Sequence, residues 1–356
     1  MQDFQRLMRD ATRLVRDGDL HAATAAIQSA LKGAPTPEAA AAPLPALPGD
    51  IVVDVQARER PAGESAPAAQ AAPASQAAGT FTAGRHSDGH MQRDYKLYVP
   101  PNAGERPLPL VVMLHGCTQD PDDFAAGTRM NELAREQGCY VLYPAQSQRA
   151  NAQRCWNWFK HSHQQRGRGE PALIASMTRH VMGRHRIDPD RIYVAGLSAG
   201  GAMAAILGAT YPDLYAAVGV HSGLAAGSAR DLPSALAAMR SGGSGAAVKA
   251  PVPTIVFHGD ADTTVHPDNG RHVIHANAQG TEADAQAARQ RARGGRSYTQ
   301  RVHRSAEGNL RAEHWVVHGS GHAWSGGSRQ GSYTDPAGPD ASAEMLRFFS
   351  SHRRAC

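Results

Sequence analysis

Seven apolar runs, separated by segments with helical periodicity, constrain the fold of this chain most strongly. In chain order they read DYKLYVP, LPLVVMLHG, GCYVLYPA, RIYVAG, AAVGVHSG, VPTIVFHG and HWVVHG. Continuous apolar strands that alternate with helices are typical of a parallel sheet covered on both faces. The sequence therefore predicts an α/β fold over residues 79–356, with a mostly parallel central sheet and helices on both of its faces.

The segments between the runs carry helix signals. Apolar residues within 130–134 precede Gly138, and glycine commonly ends a helix. Pro171 suits the first turn of a second helix. An alanine-rich helix is expected after Ser198, and residues 345–349 mark a last one.

Two further segments have a predicted role in the architecture. Residues 297–317 read as two strands around an EGN turn, which predicts a hairpin at the sheet edge that feeds the last strand. Residues 231–250 combine a short helix with a glycine-rich tail. Either a mobile lid or a surface connection fits that composition.

The N-terminal part of the chain has a different composition. Residues 2–31 carry two short apolar stripes at helical spacing, and residues 34–78 are rich in alanine and proline. We therefore predict a helical hairpin over 1–33, a linker over 34–78 and a catalytic domain over 79–356. The apolar stripes need a partner, which is the main domain, a second copy of the chain or an outside surface such as a granule.

Composition excludes several classes of function. Lysine and arginine total 37 against 32 aspartate and glutamate, so the net charge is only +5 and no nucleic-acid partner is expected. The sequence has no run of about 18 consecutive apolar residues, so no membrane span is expected. The N terminus has no apolar signal-peptide core, so we expect no Sec signal and a cytoplasmic location. The four cysteines form no Cys-x-x-Cys pair, and no metal site is expected.

The stretch RIYVAGLSAGGAM places Ser198 between a predicted strand and a predicted helix. Its Gly-x-Ser-x-Gly motif is typical of a nucleophile elbow in that context. The backbone at such a serine is strained, and Gly196 and Gly200 remove side chains that would collide with the crossing strand and helix. The following helix directs its free N–H groups and positive dipole end at the reaction centre. We predict that Ser198 is a nucleophile.

A serine hydroxyl needs a histidine base and a carboxylate, which follow the serine in the order acid, then histidine. Asp262 lies just past the strand TIVFHG, whereas Asp260 is closer to the strand and is predicted to cap the turn. His322 lies in a glycine-flanked loop after the last strand, and His314 and His318 are assigned to the strand itself. The predicted triad is therefore Ser198, Asp262 and His322.

An oxyanion intermediate needs backbone N–H donors. One predicted donor is Ala199, the residue after the nucleophile. The other is Cys117, in the loop after the strand LVVMLHG. This chemistry requires neither a metal nor an organic cofactor.

Five motifs follow one another in the chain: LHGCTQ, CWNWF with RGRGEP after it, GLSAGGAM, HGDADTTV and GHAWSGG. Together they resemble the polyhydroxybutyrate depolymerase-type esterases, which are α/β-hydrolases related to feruloyl and acetylxylan carbohydrate esterases. The resemblance covers about residues 80–351. It implies an α/β-hydrolase fold, the same triad and the same two oxyanion donors.

The resemblance also implies that CWNWF lines the substrate cleft. Trp156 and Trp158 would then offer flat apolar walls to an acyl chain or polymer segment, and Trp324 in GHAWSGG is assigned to substrate binding as well. The resemblance allows a disulfide between Cys117 and Cys155, whereas a reducing cytoplasm would keep both as thiols.

We therefore expect a serine carboxylesterase that hydrolyses short-chain or 3-hydroxyalkanoate esters, either small molecules or oligomers. Two alternatives stay open. One is an esterase that removes feruloyl or acetyl groups from carbohydrates. The other is a protein that docks on a granule or partner, or on a second copy of itself, through residues 2–31 and has a secondary esterase activity.

Overall fold

The computed structural model describes residues 78–354, except 90, 279–281, 284–286 and 288. The predicted N-terminal hairpin, and the predicted linker up to residue 77, lie outside the described residues. None of the helices in the described ranges has the length and apolar character needed to cross a membrane.

An eleven-stranded sheet forms the centre of the described part of the chain. Its strands are β1 (Thr80–Ser87), β2 (Gln92–Val99), β3 (Leu108–Leu114), β4 (Tyr140–Pro144), β5 (Ile187–Leu197), β6 (Ala217–His221), β7 (Thr254–Gly259), β8 (Glu282–Ala283), β9 (Arg289–Arg291), β10 (Ser297–Arg304) and β11 (Leu310–Val317). A separate two-stranded sheet pairs β12 (Trp324–Ser325) with β13 (Thr334–Asp335).

The spatial order of the main sheet is β1-β2-β4-β3-β5-β6-β7-β11-β10-β8, with β9 also paired to β10. The six strands from β4 to β11 in this order are parallel to one another. The strands outside them pair antiparallel. The mostly parallel sheet is as predicted, and β10 and β11 pair as the predicted hairpin. The hairpin does not form the sheet edge, because β8 and β9 pair with the outer side of β10.

Seven helices connect or flank the strands within the described residues. They are α1 (Pro121–Thr128), α2 (Met130–Gln137), α3 (Gly169–Met182), α4 (Ala199–Thr210), α5 (Leu232–Ser241), α6 (Asp268–Asn277) and α7 (Ala341–Ser350). Gly138 ends α2 in the left-handed conformation at φ 68°, as the sequence predicts. Asp120 caps the N terminus of α1 by accepting from two backbone amides.

The two faces of the sheet carry separate hydrophobic cores, because alternate residues of each strand point to opposite sides. On one face Val112, Val194 and Val256 join residues of α3, α4, α5 and α6. On the other face Met113 and Phe257 join residues of α1, α2 and α7. Helices therefore cover both faces, as the apolar runs predict.

Residues 231–250 are tied to the body of the domain. The Asn269 side chain at the start of α6 is fully buried, donates to Ala238 O at 2.9 Å and accepts from Gly243 N at 3.0 Å. Val248 N donates to Ala276 O at 3.3 Å. Of the two predicted roles, these bonds favour a surface connection.

Candidate active site

The predicted site residues follow strands whose carboxyl ends lie at one edge of the sheet. Strands β3, β5, β6, β7 and β11 run parallel, so their carboxyl ends lie on the same side. Cys117 follows β3, Ser198 follows β5, Asp262 follows β7 and His322 follows β11. The carboxyl edge of a parallel sheet is where ligands bind in open α/β folds.

Ser198 occupies a sharp turn between β5 and α4. Its backbone angles are φ 58° and ψ −119°, which are unfavourable for a residue other than glycine. The Ser198 amide donates to His221 O at 2.9 Å, and the Ser198 carbonyl accepts from Ala202 N at 2.9 Å. The turn is therefore fixed at both ends, and the chain holds a strained serine at the start of a helix.

Gly196 and Gly200 make this turn sterically possible. A Cβ atom on Gly200 would lie 2.0 Å from Leu114 O, and one on Gly196 would lie 2.4 Å from the carbonyl carbon of Gly200. Real Cβ atoms do not approach other heavy atoms this closely. The two glycines let α4 pack directly against β3 and β5, as the sequence predicts.

Asp262 and His322 form a short hydrogen bond, with 2.7 Å between Asp262 Oδ2 and His322 Nδ1. The other oxygen of Asp262 accepts from the amides of Thr264 and Val265, each at 2.9 Å. Burial alone would raise the pKa of the Asp262 carboxyl, but hydrogen bonds with His258 and His322 outweigh it and hold that pKa far below its ordinary value. Asp262 is therefore a charged, fixed partner for the imidazole.

A second aspartate–histidine pair lies next to the first. Asp260 Oδ2 is 2.7 Å from His318 Nδ1, and His318 Nε2 is 2.8 Å from Thr299 Oγ1. Both ring nitrogens of His318 are thus bonded within the protein. Nε2 of His322, by contrast, has no hydrogen-bond partner among the described residues. Of His318 and His322, only His322 therefore keeps a nitrogen available to take a proton.

His221 links the serine turn to the loop that carries His322. No sequence motif indicated a role for His221. Its carbonyl holds the Ser198 amide, and its Nε2 accepts from Ser325 N at 2.9 Å, close after His322. The ring stacks between Phe257 and Trp324. Burial, together with the nearby His258 and His322, lowers the pKa of His221 to about 3. A neutral imidazole therefore fills the space beneath the site.

The loop after β3 presents the predicted oxyanion donor. His115 Nδ1 donates to Gly116 O at 2.7 Å, and His115 Nε2 accepts from Gln146 N at 3.1 Å. Burial lowers the pKa of His115 to about 4, so the ring is neutral. In the described part of the chain, the amides of Cys117 and Ala199 donate to no protein acceptor. Both N–H groups are available to an oxygen atom of a ligand.

A disulfide joins Cys117 to Cys155 across 38 residues, so the pairing that the resemblance allows is present. Disulfides persist mainly in oxidising compartments. The cytoplasmic location stays a prediction.

Glu170, at the start of α3, organises the segment that follows the disulfide. Its carboxylate accepts from the Asn157 amide at 2.7 Å, from Asn157 Nδ2 at 2.8 Å and from Gln146 Nε2 at 2.6 Å. Burial alone would raise the pKa of Glu170, but bonds with His163 and Gln146 lower it below the ordinary value. In the sequence Glu170 is part of the RGRGEP motif, and no role was predicted for it.

Opening the disulfide is expected to weaken the fold by up to about 4 kcal/mol, the chain-entropy value for a loop of this length. It should also lower esterase activity, because Cys117 carries a predicted oxyanion donor. Thermal unfolding and initial rates, with and without dithiothreitol, measure both effects. Cys155→Ser is the matched variant and should respond to reductant no further. If dithiothreitol left the melting temperature of the unmodified protein unchanged, this expectation would be contradicted.

The three tryptophans that were predicted to bind substrate are buried, so that prediction is wrong. Trp156, Trp158 and Trp324 are 0%, 4% and 1% exposed. Trp156 Nε1 donates to His115 O at 3.1 Å, and Trp324 Nε1 donates to Ser342 Oγ at 3.0 Å. Trp156 and Trp324 therefore support the loops of the site, and Trp158 packs in the core against Phe159. They do not form the flat walls of a cleft.

No group of three or more histidine, cysteine, aspartate or glutamate side chains in the described ranges is arranged to hold a metal ion. The residues at the sheet edge match covalent chemistry. A strained serine with an acid and a histidine after later parallel strands is the arrangement of the α/β-hydrolases.

Comparison with known families identifies the chain more closely. Residues 93–296 match the family model described as Esterase PHB depolymerase, which covers more than half of the chain. The chain belongs to this esterase family.

Individual relatives agree with the family. The chain is 33% identical over 228 residues to a poly(3-hydroxyalkanoate) depolymerase C of Paucimonas lemoignei, covering 60% of this chain and 54% of the relative. It is 28% identical over 193 residues to acetylxylan esterase A of Talaromyces purpureogenus, covering 49% and 50%. The chain therefore spans about half the length of the curated relatives it matches.

Solved structures show the same fold. An acetyl xylan esterase from Aspergillus awamori matches with a TM-score of 0.58 at 20% identity, over 76% of this chain and 99% of that one. An S-formylglutathione hydrolase from Agrobacterium tumefaciens matches with a TM-score of 0.52 at 15% identity, over 77% and 96%. These likenesses concern the fold alone, which is the α/β-hydrolase fold predicted from the sequence.

Proposed function

We propose that this protein is a serine carboxylesterase that hydrolyses short-chain or 3-hydroxyalkanoate esters through an acyl-enzyme. One observation carries the proposal: His322 is bonded to buried Asp262 through Nδ1 and has its other nitrogen unpaired, at the sheet edge where Ser198 is held in a strained turn. A histidine fixed in this way can act as a general base for a serine hydroxyl.

The first half of the reaction forms the acyl-enzyme. Ser198 Oγ attacks the ester carbonyl carbon while its proton passes to His322 Nε2. The carbonyl oxygen becomes an oxyanion and accepts from the amides of Cys117 and Ala199, which have no other partner within the described residues. The intermediate collapses, the C–O bond to the alcohol breaks, and His322 returns its proton to the leaving alkoxide.

The second half releases the acid. Water gives a proton to His322 Nε2 and attacks the Ser198 ester, so a second oxyanion forms at the same two amides. Collapse breaks the bond to Ser198 Oγ, which recovers the proton from His322. Asp262 stays ionised throughout, because its pKa is held far below the ordinary range by its hydrogen-bond partners against the opposing effect of burial.

Acetylated carbohydrate is the second candidate substrate. A polar groove of about 960 Å³ is lined by charged side chains, including Arg85, Asp120 and Arg154. Such a groove suits the hydroxyl groups of a sugar. Acetylxylan esterases are also among the relatives.

A substrate panel on the purified protein tests the proposal. We expect turnover of p-nitrophenyl acetate and butyrate with a burst of p-nitrophenol equal to the enzyme concentration when deacylation is slow. Oligomers of 3-hydroxybutyrate should be cleaved with higher kcat/KM than acetylated xylo-oligosaccharides or methyl ferulate. The opposite ranking would favour the carbohydrate esterase, and a lack of turnover on every ester would refute the function.

A further inference from the structure

Tyr333 is the one large hydrophobic side chain that is exposed among the described residues, with 46% of its surface accessible. Its backbone lies in the left-handed region at φ 51°, which is unfavourable for a bulky residue. Neither the exposed ring nor the strained backbone helps the protein to fold. Such a residue is a candidate for a role in binding.

The surroundings of Tyr333 place it between the two loops that carry the proposed chemistry. Its carbonyl accepts from Trp324 N at 2.7 Å, close after His322. Its hydroxyl lies 3.2 Å from Thr118 Oγ1, in the residue next to Cys117. Thr118 already donates its hydroxyl proton to Cys117 O at 2.6 Å, so Tyr333 is the donor. The ring is therefore anchored to both loops at the rim of the site.

Polar groups beside Tyr333 are bonded to one another. Gln119 Nε2 donates to Asp123 Oδ2 at 2.9 Å and to Ser332 O at 3.2 Å. The Ser332 amide donates to the other oxygen of Asp123 at 2.8 Å. A ligand on the ring therefore finds an apolar face, with the nearby donors and acceptors already engaged. That surface suits the methyl and methylene groups of an aliphatic polyester better than the hydroxyl groups of a sugar.

We propose that Tyr333 is a substrate-contact residue, whose ring binds the hydroxyalkanoate unit next to the ester held at Ser198. The inference rests on the proposed function and specifies its substrate class further. A contact outside the scissile ester that is equally strong in the bound substrate and in the transition state changes KM and leaves kcat alone. It should act on oligomers and be silent on a minimal ester.

Tyr333→Asn and Tyr333→Gly both remove the ring, and both residues accept the left-handed backbone at this position. Either variant is expected to raise KM for the 3-hydroxybutyrate trimer about tenfold, with kcat unchanged. Its kcat/KM for p-nitrophenyl acetate should stay within about twofold of the unmodified protein. Tyr333→Phe is the matched control: it loses only the hydroxyl bond to Thr118 and keeps the ring, so it should keep the trimer KM.

The outcomes separate this inference from the function on which it rests. Loss of trimer affinity with full acetate activity supports the ring contact. An unchanged trimer KM, an equal loss on trimer and p-nitrophenyl acetate, or a loss confined to acetylated xylo-oligosaccharides would overturn it while leaving the esterase intact. Esterase activity that survives Ser198→Ala would instead remove the proposed function itself.

Discussion

Ser198→Ala is expected to lower kcat for p-nitrophenyl butyrate by at least about 10⁴-fold, because only the oxyanion donors and substrate binding remain to assist water. The serine hydroxyl is not part of the hydrogen bonds that fix the turn, which run through the Ser198 backbone amide and carbonyl. We therefore expect the melting temperature to stay close to that of the unmodified protein. Initial rates and thermal unfolding of the two proteins measure both quantities.

The matched control is Ser241→Ala at the exposed end of α5, which should leave kcat unchanged. Replacement of Ser198 by alanine should also abolish the burst of p-nitrophenol, since no acyl-enzyme can form. A Ser198→Ala protein with a normal burst would show that another residue is the nucleophile.

Asp262→Asn is expected to lower kcat by about 10⁴-fold. The asparagine can still accept from the amides of Thr264 and Val265, so the turn keeps its hydrogen bonds. Its amide carries no charge to stabilise a protonated His322 and holds the imidazole in the wrong tautomer. Because hydrogen bonds with His258 and His322 prevail over burial and hold the pKa of Asp262 far below its ordinary value, its ionisation should not limit the pH profile above pH 4 or so.

Asp260→Asn is the control that decides between the two neighbouring pairs. Asp260 is partly exposed and bonds to His318, whose second nitrogen is engaged by Thr299. We expect less than about a threefold change in kcat for this variant. Should Asp260→Asn cause the greater loss, the acid and the base of the proposed mechanism would both be misassigned.

Local signals were enough to locate the serine turn. Small residues around Ser198 have a steric cause that can be inferred from the chain itself, and the structure shows it as contacts of 2.0 to 2.4 Å at Gly200 and Gly196. The strand runs were equally predictable, because a strand buried on both faces must be apolar along its whole length. By contrast β1, with the sequence TFTAGRHS, was missed. It is an edge strand held by backbone bonds to β2, and its side chains give little apolar pattern.

The tryptophans show where sequence reasoning fails. An indole is equally suited to a core and to a substrate wall, and the choice depends on residues that arrive from elsewhere in the chain. Trp324 stacks on His221 and meets Phe124 edge-on. Trp156 is bonded to His115. Spacing within CWNWF carries no information about these partners.

By itself the sequence determined the α/β fold and the strained turn at Ser198, and it predicted the order of the acid and the histidine, because each depends on local sterics and strand patterning. The tertiary structure decided which imidazole is free. Thr299 occupies the second ring nitrogen of His318, whereas within the described residues His322 is bonded only through Nδ1, to Asp262. The tertiary structure also bonded Glu170 to the segment that follows the disulfide and placed Tyr333 between the two loops. These assignments depend on hydrogen bonds between residues far apart in the chain, and such bonds exist only after the strands have assembled.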